Sequence, residues 1–171
     1  MEFRKNDIVT LEIVDCGTDG EGIGKADGFT VFVKDAVIGD TVTAKIMKAK
    51  KNYGYGRLME ILNASPYRVE PMCPSARQCG GCQLQAVSYE EQKVFKEKKL
   101  RGHLERIGGF TNLPMEPLIG MDEPYHYRNK AQFPVGRNKD GKIVTGFYAG
   151  RTHAIIENRD CALGIPENKD V

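Results

Sequence analysis

Three cysteines crowd one short stretch, Cys73-Pro-Ser-Ala-Arg-Gln-Cys79-Gly-Gly-Cys82, and a fourth, Cys161, follows only after seventy-eight further residues. A fold that uses all four must bring the chain back on itself over that distance. Four thiolates are the ligand set of a cubane 4Fe–4S cluster or of a structural zinc ion, and a triad this tight can wrap one centre. Gly80 and Gly81 lack Cβ atoms, so the backbone can approach a bulky cluster and aim N–H groups at its sulfurs. Closing the loop to Cys161 costs about 4 kcal/mol plus a constant. Metal ligation would have to offset that cost, so such a centre would staple the second half of the chain together.

The gaps of five and then two residues favour a cluster, because common zinc sites pair two closely spaced knuckles; on spacing alone zinc stays open as the runner-up. A disulfide framework fits poorly. Five cysteines is an odd number, and the start Met1-Glu-Phe-Arg-Lys-Asn-Asp7 carries no apolar signal segment. Cys16, after the apolar run from Leu11, reads as an ordinary buried or half-buried thiol. Reduced, metal-type cysteines and the lack of an export signal lead to the expectation of a cytoplasmic protein. With 40% hydrophobic and 28% charged residues and no long apolar run, the composition is that of a globular chain with no membrane partner.

The fold class expected is mainly β with one helix. Ile8–Val14, Phe29–Val33, Thr41–Met47 and a run from Tyr55 through Ile61 read as short strands, by alternation or by β-branched and aromatic content. Asp19-Gly-Glu-Gly-Ile-Gly24 and Asp27-Gly28 read as turns. These glycines match neither a dinucleotide fingerprint nor a P-loop. Residues 1–65 are therefore expected to close a small five-stranded barrel of the oligonucleotide-binding kind. Pro66 and Pro71 mark a linker into a second domain, 66–171, which holds the cysteines and is expected to be incomplete.

Within that domain, Ser88-Tyr-Glu-Glu91 is a capping box that predicts a helix over about 89–107, ending at Gly108-Gly109. Tyr89, Leu100, Leu104 and Ile107 share one face, which should pack on the body of the protein. Lys130–Gly136, Ile143–Tyr148 and His153–Glu157 read as antiparallel strands, with Asn138–Lys142 as a hairpin turn. That run would deliver Cys161 back to the triad.

The net charge of +2 is too small to demonstrate a nucleic-acid partner. Its distribution says more. Between Thr41 and Leu58 lie Lys45, Lys48, Lys50, Lys51 and Arg57, no acidic residue, and the interleaved Tyr53 and Tyr55. Cations of this kind neutralise phosphates, and tyrosine rings offer stacking faces to unpaired bases. A solvated lysine-rich hairpin is the competing reading.

The order of parts carries a resemblance. The strands around Asp19–Gly24 and Phe29–Val33 look like a TRAM domain, an RNA-binding barrel. Cys73-Pro-x4-Cys79-Gly-Gly-Cys82-Gln-Leu-Gln85, followed by Tyr89-x2-Gln92 and Tyr127-Arg-Asn-Lys130-Ala, resembles the iron–sulfur segment of ribosomal RNA uracil-5-methyltransferases. Ala86 stands where many members carry histidine. The resemblance implies Cys73, Cys79, Cys82 and Cys161 (in Arg159-Asp160-Cys161) as ligands of a 4Fe–4S cluster. It also implies ribosomal RNA, in single-stranded or loop regions, as the partner, with Arg128 and Lys130 as further RNA contacts. No protein partner can be read from the chain.

The reaction implied is attack of a cysteine thiolate on C6 of uracil, methyl transfer from S-adenosylmethionine to C5, and loss of the C5 proton to a base. The target base must leave its stack. No strand–glycine loop–helix unit for a nucleotide is evident, and no cysteine matches the catalytic position, so no catalytic or cofactor-binding residue is assigned. S-adenosylmethionine is expected only in the full-length family enzyme. The chain is thus expected to be the front portion of such an enzyme, inactive alone. A stand-alone iron–sulfur RNA-binding module is the alternative, and electron transfer a weaker third.

Overall fold

The computed structural model describes residues 3–167. Its elements in order are β1 (Ile8–Cys16), β2 (Gly22–Ala26), β3 (Phe29–Lys34), β4 (Thr41–Ala49), β5 (Tyr53–Asn63), α1 (Tyr89–Arg106), β6 (Val135–Arg137), β7 (Ile143–Tyr148) and β8 (Ile155–Glu157). Contacts divide the chain into two units. One runs up to Glu70 and takes in Ala86–Ser88; the other holds Pro71–Gln85 and the chain from Tyr89 onward.

In the first unit five strands close a barrel in the order β1-β2-β3-β5-β4, antiparallel except for the parallel β3–β5 pair. Alternation drives it. Val9, Leu11 and Ile13 of β1, Val31 and Val33 of β3, and Val42, Ala44 and Ile46 of β4 all point inward and are buried. Burying each of the larger of these stabilises the barrel by roughly 1.5–3 kcal/mol. Phe3, Phe29, Ala49, Leu58 and Ile61 close the core from its edges.

β2 departs from the sequence-based expectation of a turn at Gly22–Gly24. These glycines lie in a strand because β1 and β2 approach too closely for a side chain. A Cβ on Gly24 would sit 2.3 Å from the Glu12 carbonyl oxygen. The barrel also carries a buried ion pair. Asp40 is fully buried, and its carboxylate accepts the Val37 N–H at 2.7 Å, the Ser65 N–H at 2.9 Å, and both Nε (3.1 Å) and Nη2 of Arg68. Arg68 Nη2 also donates to the Asp35 carbonyl at 2.9 Å. Burial works to raise the Asp40 carboxyl, but the Arg68 and backbone hydrogen bonds outweigh it and hold the group below the usual carboxylate range.

The second unit has little apolar interior. Among the described residues its buried side chains are Val144, Ala162, Cys73 and Cys79. Strands β6, β7 and β8 form an antiparallel sheet in that order. The expected strand from Lys130 shrinks to Val135–Arg137, since Pro134 interrupts it. Asn138 caps the β6–β7 turn, its side chain accepting the Asp140 and Lys142 N–H groups at 3.0 Å.

Helix α1 starts and stops close to the predicted positions, with Gly109 taking φ +69 just beyond it. Its expected apolar face, however, is not buried: no residue of the helix is, and Leu100 and Ile107 are 53% and 81% exposed. Charged side chains surround the helix and leave no wide apolar stripe. The 118–121 segment lies along it through polar contacts instead: the Glu97 carboxylate accepts the Leu118 N–H, and the Tyr89 hydroxyl accepts the Met121 N–H at 2.8 Å. No helix of the described residues is long and apolar enough to cross a membrane.

Candidate metal centre and nucleic-acid face

The second unit is organised around its cysteines. After Cys73 the chain makes tight turns, with Ala76 N–H on the Cys73 carbonyl (3.0 Å) and Cys79 N–H on the Ser75 carbonyl (2.8 Å). Cys79 then forms a bridge to Ala149, and the Gly80 N–H donates to the Tyr148 carbonyl at 2.9 Å, tying the triad to the end of β7. Gly80 must be glycine for that reason: a Cβ there would lie 2.8 Å from the Tyr148 carbonyl oxygen. The Gly81 N–H donates to Cys79 Sγ at 3.3 Å.

Cys161 reaches the same place by a second route. The Asn158 N–H bonds the Thr145 carbonyl of β7 at 3.2 Å, and the Asn158 side chain turns the chain by accepting the Asp160 N–H at 3.0 Å. Beyond it, Leu163 and Gly164 pair with Arg128, whose N–H donates to the Leu163 carbonyl at 2.8 Å. Together these turns set Cys73, Cys79, Cys82 and Cys161 around one solvent-connected pocket, with Gln85, Arg128 and Phe147 also in its wall.

Cys73 and Cys79 are buried, Cys82 and Cys161 half-buried. Burial pushes the Cys82 thiol up from its ordinary value; a hydrogen bond from Gln85 pulls it down, and the charges of Cys161, Cys79 and Cys73 push it up again. If all four were thiolates they would repel one another, a repulsion that protonation or a bound cationic centre relieves. Gln85 also accepts the Cys73 N–H at 3.1 Å, so one amide braces both ends of the triad. Among the described residues, no three His, Cys, Asp or Glu side chains form a group able to hold a single metal ion. Cys16 belongs to the barrel, half-buried at the end of β1.

On the barrel, the predicted cations and rings share one outer surface. Tyr53, Tyr55 and Arg57 alternate along β5 with the inward Gly54, Gly56 and Leu58. The strand register sets Phe32 beside Tyr55, Lys48 on the far side of Tyr55, and Lys34, Arg57 and Lys45 in one row across β3, β5 and β4. Phe32, Tyr53 and Tyr55 touch pairwise, with ring centroids 5.6–5.8 Å apart. Lys50 and Lys51 lie exposed between β4 and β5. Arg128 and Lys130 are elsewhere, in the second unit, where Arg128 lines the cysteine pocket and Lys130 is exposed.

Residues 3–59, the whole barrel except the end of β5, match the TRAM domain family. The barrel is a TRAM domain. Over nearly its whole length the chain is also similar to proteins named RNA methyltransferases. One from Halalkalibacterium halodurans is 47% identical over 168 residues, 98% of this chain and 36% of its own. Another, from Clostridium tetani, is 48% identical over 160 residues, 94% of this chain and 34% of its own. The chain thus spans about a third of the length of these relatives. Its fold is shared with part of the Pyrococcus abyssi tRNA (uracil-54, C5)-methyltransferase, at a TM-score of 0.61 and 22% identity, covering 94% of this chain and 34% of that one.

Three residues at these sites have no role in the sequence reading. Gln85 is visible there only as part of a motif, and nothing in its spacing reveals a brace between Cys73 and Cys82. Phe32 and Lys34 join the TRAM face through the parallel β3–β5 pairing, which no local pattern encodes.

Proposed function

We propose that this chain is the RNA-binding and 4Fe–4S-holding portion of an S-adenosylmethionine-dependent RNA uracil-5-methyltransferase acting on ribosomal RNA. The observation that carries it is the return of Cys161 to the Cys73–Cys79–Cys82 triad around one pocket. A zinc ion would need four sulfurs each about 2.3 Å from a single centre. A cubane spreads its thiolates over four irons, which suits four cysteines that line one pocket. Cys73, Cys79, Cys82 and Cys161 would hold the cluster, which would supply a cross-link in a unit with little apolar core, with every ligand position filled. Arg128, in the pocket wall, supplies positive charge beside the thiolates.

RNA binding is assigned to the TRAM face and the Lys50–Lys51 hairpin, with Lys130 as a further contact. Replacing Lys48, Lys50 and Lys51 together by alanine is expected to weaken binding of single-stranded ribosomal RNA fragments. The dependence of log affinity on log salt should flatten by about 0.7 for each phosphate that the variant no longer neutralises. Filter binding across a salt series measures both; a triple variant with the parent's affinity and slope would show the hairpin to be a solvated face. Running tRNA beside the ribosomal fragments tests the substrate class.

Methyl transfer in this reading belongs to the length of the relatives that the chain does not span. Among the described residues the only helix lies between barrel strands and an antiparallel sheet, and no parallel strand–helix–strand unit is present to hold a nucleotide. Calorimetry of this chain with S-adenosylmethionine should therefore show no saturable heat. A micromolar affinity would overturn this division of labour.

A further inference from the structure

Three of the four cysteines sit on a stretch of chain that leaves the barrel's unit and then rejoins it. The chain up to Glu70 belongs to that unit, 71–85 does not, and Ala86–Ser88 belongs to it again. A short antiparallel clasp makes the return. The Val69 N–H donates to the Ala86 carbonyl at 3.0 Å, the Ser88 N–H donates to the Tyr67 carbonyl at 2.8 Å, and Arg68 is bridged to Val87 between them. Cys73 lies four residues after Val69, and Cys82 four before Ala86. The clasp therefore closes the base of the ligand loop, equally far along the chain from its first and last cysteine. A strand pair this short is marginal alone. One side of it, however, is pinned to the barrel. Arg68 donates through Nε and Nη2 to the fully buried Asp40 carboxylate and through Nη2 to the Asp35 carbonyl. Its own N–H donates to the Ser65 carbonyl at 3.1 Å. Ser65, itself buried, accepts the Tyr67 N–H on its hydroxyl at 3.1 Å and donates its N–H to Asp40. Apolar residues of the same volume would stabilise a barrel as well as such an ion pair does. What the pair adds is a fixed position for Arg68.

We infer that Arg68 is a positioning residue for the metal centre: its fork on Asp40 holds the clasp shut, and the shut clasp holds the Cys73–Cys79–Cys82 loop ready for its ligand. This rests on the reading of the four cysteines as one ligand set. Bringing together the ends of a flexible loop of sixteen residues, 70–85, reduces its freedom by a factor of about 60, the three-halves power of its length. With the clasp shut, folding of the barrel has already met that cost, and metal binding need not meet it again. Linkage makes the effect reciprocal: metal that holds the loop also holds the clasp.

The experiment follows metal loss from anaerobically purified protein into excess EDTA, by elemental analysis of the protein against time. It compares the parent with Arg68→Lys and Ile46→Val. Lysine keeps a charge for Asp40 but cannot supply the fork that also reaches the Asp35 carbonyl. Ile46 is fully buried, six residues along β4 from Asp40, so Ile46→Val loosens the barrel core without touching the clasp. Arg68→Lys is expected to lose metal about 10- to 60-fold faster than the parent, and Ile46→Val at the parent's rate. In Cys82→Ser, the Val69 and Ser88 amides should exchange hydrogen faster, while those of Val31 and Val33 keep the parent's protection. A parent that holds no metal would remove the metal reading, and this inference with it. Metal held by the parent and lost at one rate from all three proteins, or lost equally fast from both variants, would overturn the role of Arg68 alone.

Discussion

Cys82→Ser protein, prepared anaerobically from iron-replete cells, is expected to carry at least about tenfold less iron and sulfide than the parent, given that even outer-shell changes cost metal sites 10- to 100-fold in affinity. Cys16→Ser should keep the parent's content, because that thiol lies in the barrel. The loss should also be structural. Hydrogen exchange is expected to speed up at the Gly80, Arg128 and Gly164 amides, whose bonds hold the triad and the Cys161 loop in place. The barrel amides should be unaffected. If Cys82→Ser retained its metal with the parent's protection, the four cysteines would not form one ligand set.

Arg68→Ala is the second large effect expected. It leaves the fully buried Asp40 carboxylate without its charged partner, and breaking a buried pair in this way destabilises by about 3 kcal/mol or more. The Val37 and Ser65 N–H groups that remain keep the loss toward the lower end. The pH dependence follows from the direction of the Asp40 shift. In the parent the folded-state pKa lies below the ordinary value, so this carboxylate's stabilising contribution is present above pH ~4 and is lost as pH falls through the folded-state pKa. Without Arg68, burial raises the group, and its protonated form becomes the better tolerated one. Parent and variant should therefore differ most at neutral pH and converge on acidification below pH ~4. Urea unfolding at a series of pH values measures this; a gap that grows toward acid would contradict the assignment of Arg68 as the carboxylate's partner.

The barrel was legible where burial alternates. Val9–Ile13, Val31–Val33 and Val42–Ile46 place every second side chain in the core, and the strands read from them are present. β2 was not legible, because its glycines are there for a close approach to β1 that only the folded sheet creates. The Asp40–Arg68 pair was hidden for a related reason: its partners are 28 residues apart, and the link exists only through tertiary structure. In the second unit the capping box and Gly109 delimited α1, but the four apolar residues read as a packing face are diluted by charges all around the helix. That the four cysteines would meet at one place was expected from thiol chemistry, and they line one pocket; Gln85 and the Arg128–Leu163 pairing beside them depend on bonds made across the fold. On the face proposed for RNA, Tyr53, Tyr55 and the lysines could be found in one segment; Phe32 and Lys34 required the register of β3 against β5.

The central claim is that Cys73, Cys79, Cys82 and Cys161 together hold one 4Fe–4S cluster. Quantifying iron, zinc and acid-labile sulfide per chain in the anaerobically purified parent tests it most directly. About four irons and four sulfides per chain are predicted, from the composition of a single cubane. One zinc per chain, with neither iron nor sulfide, would contradict it.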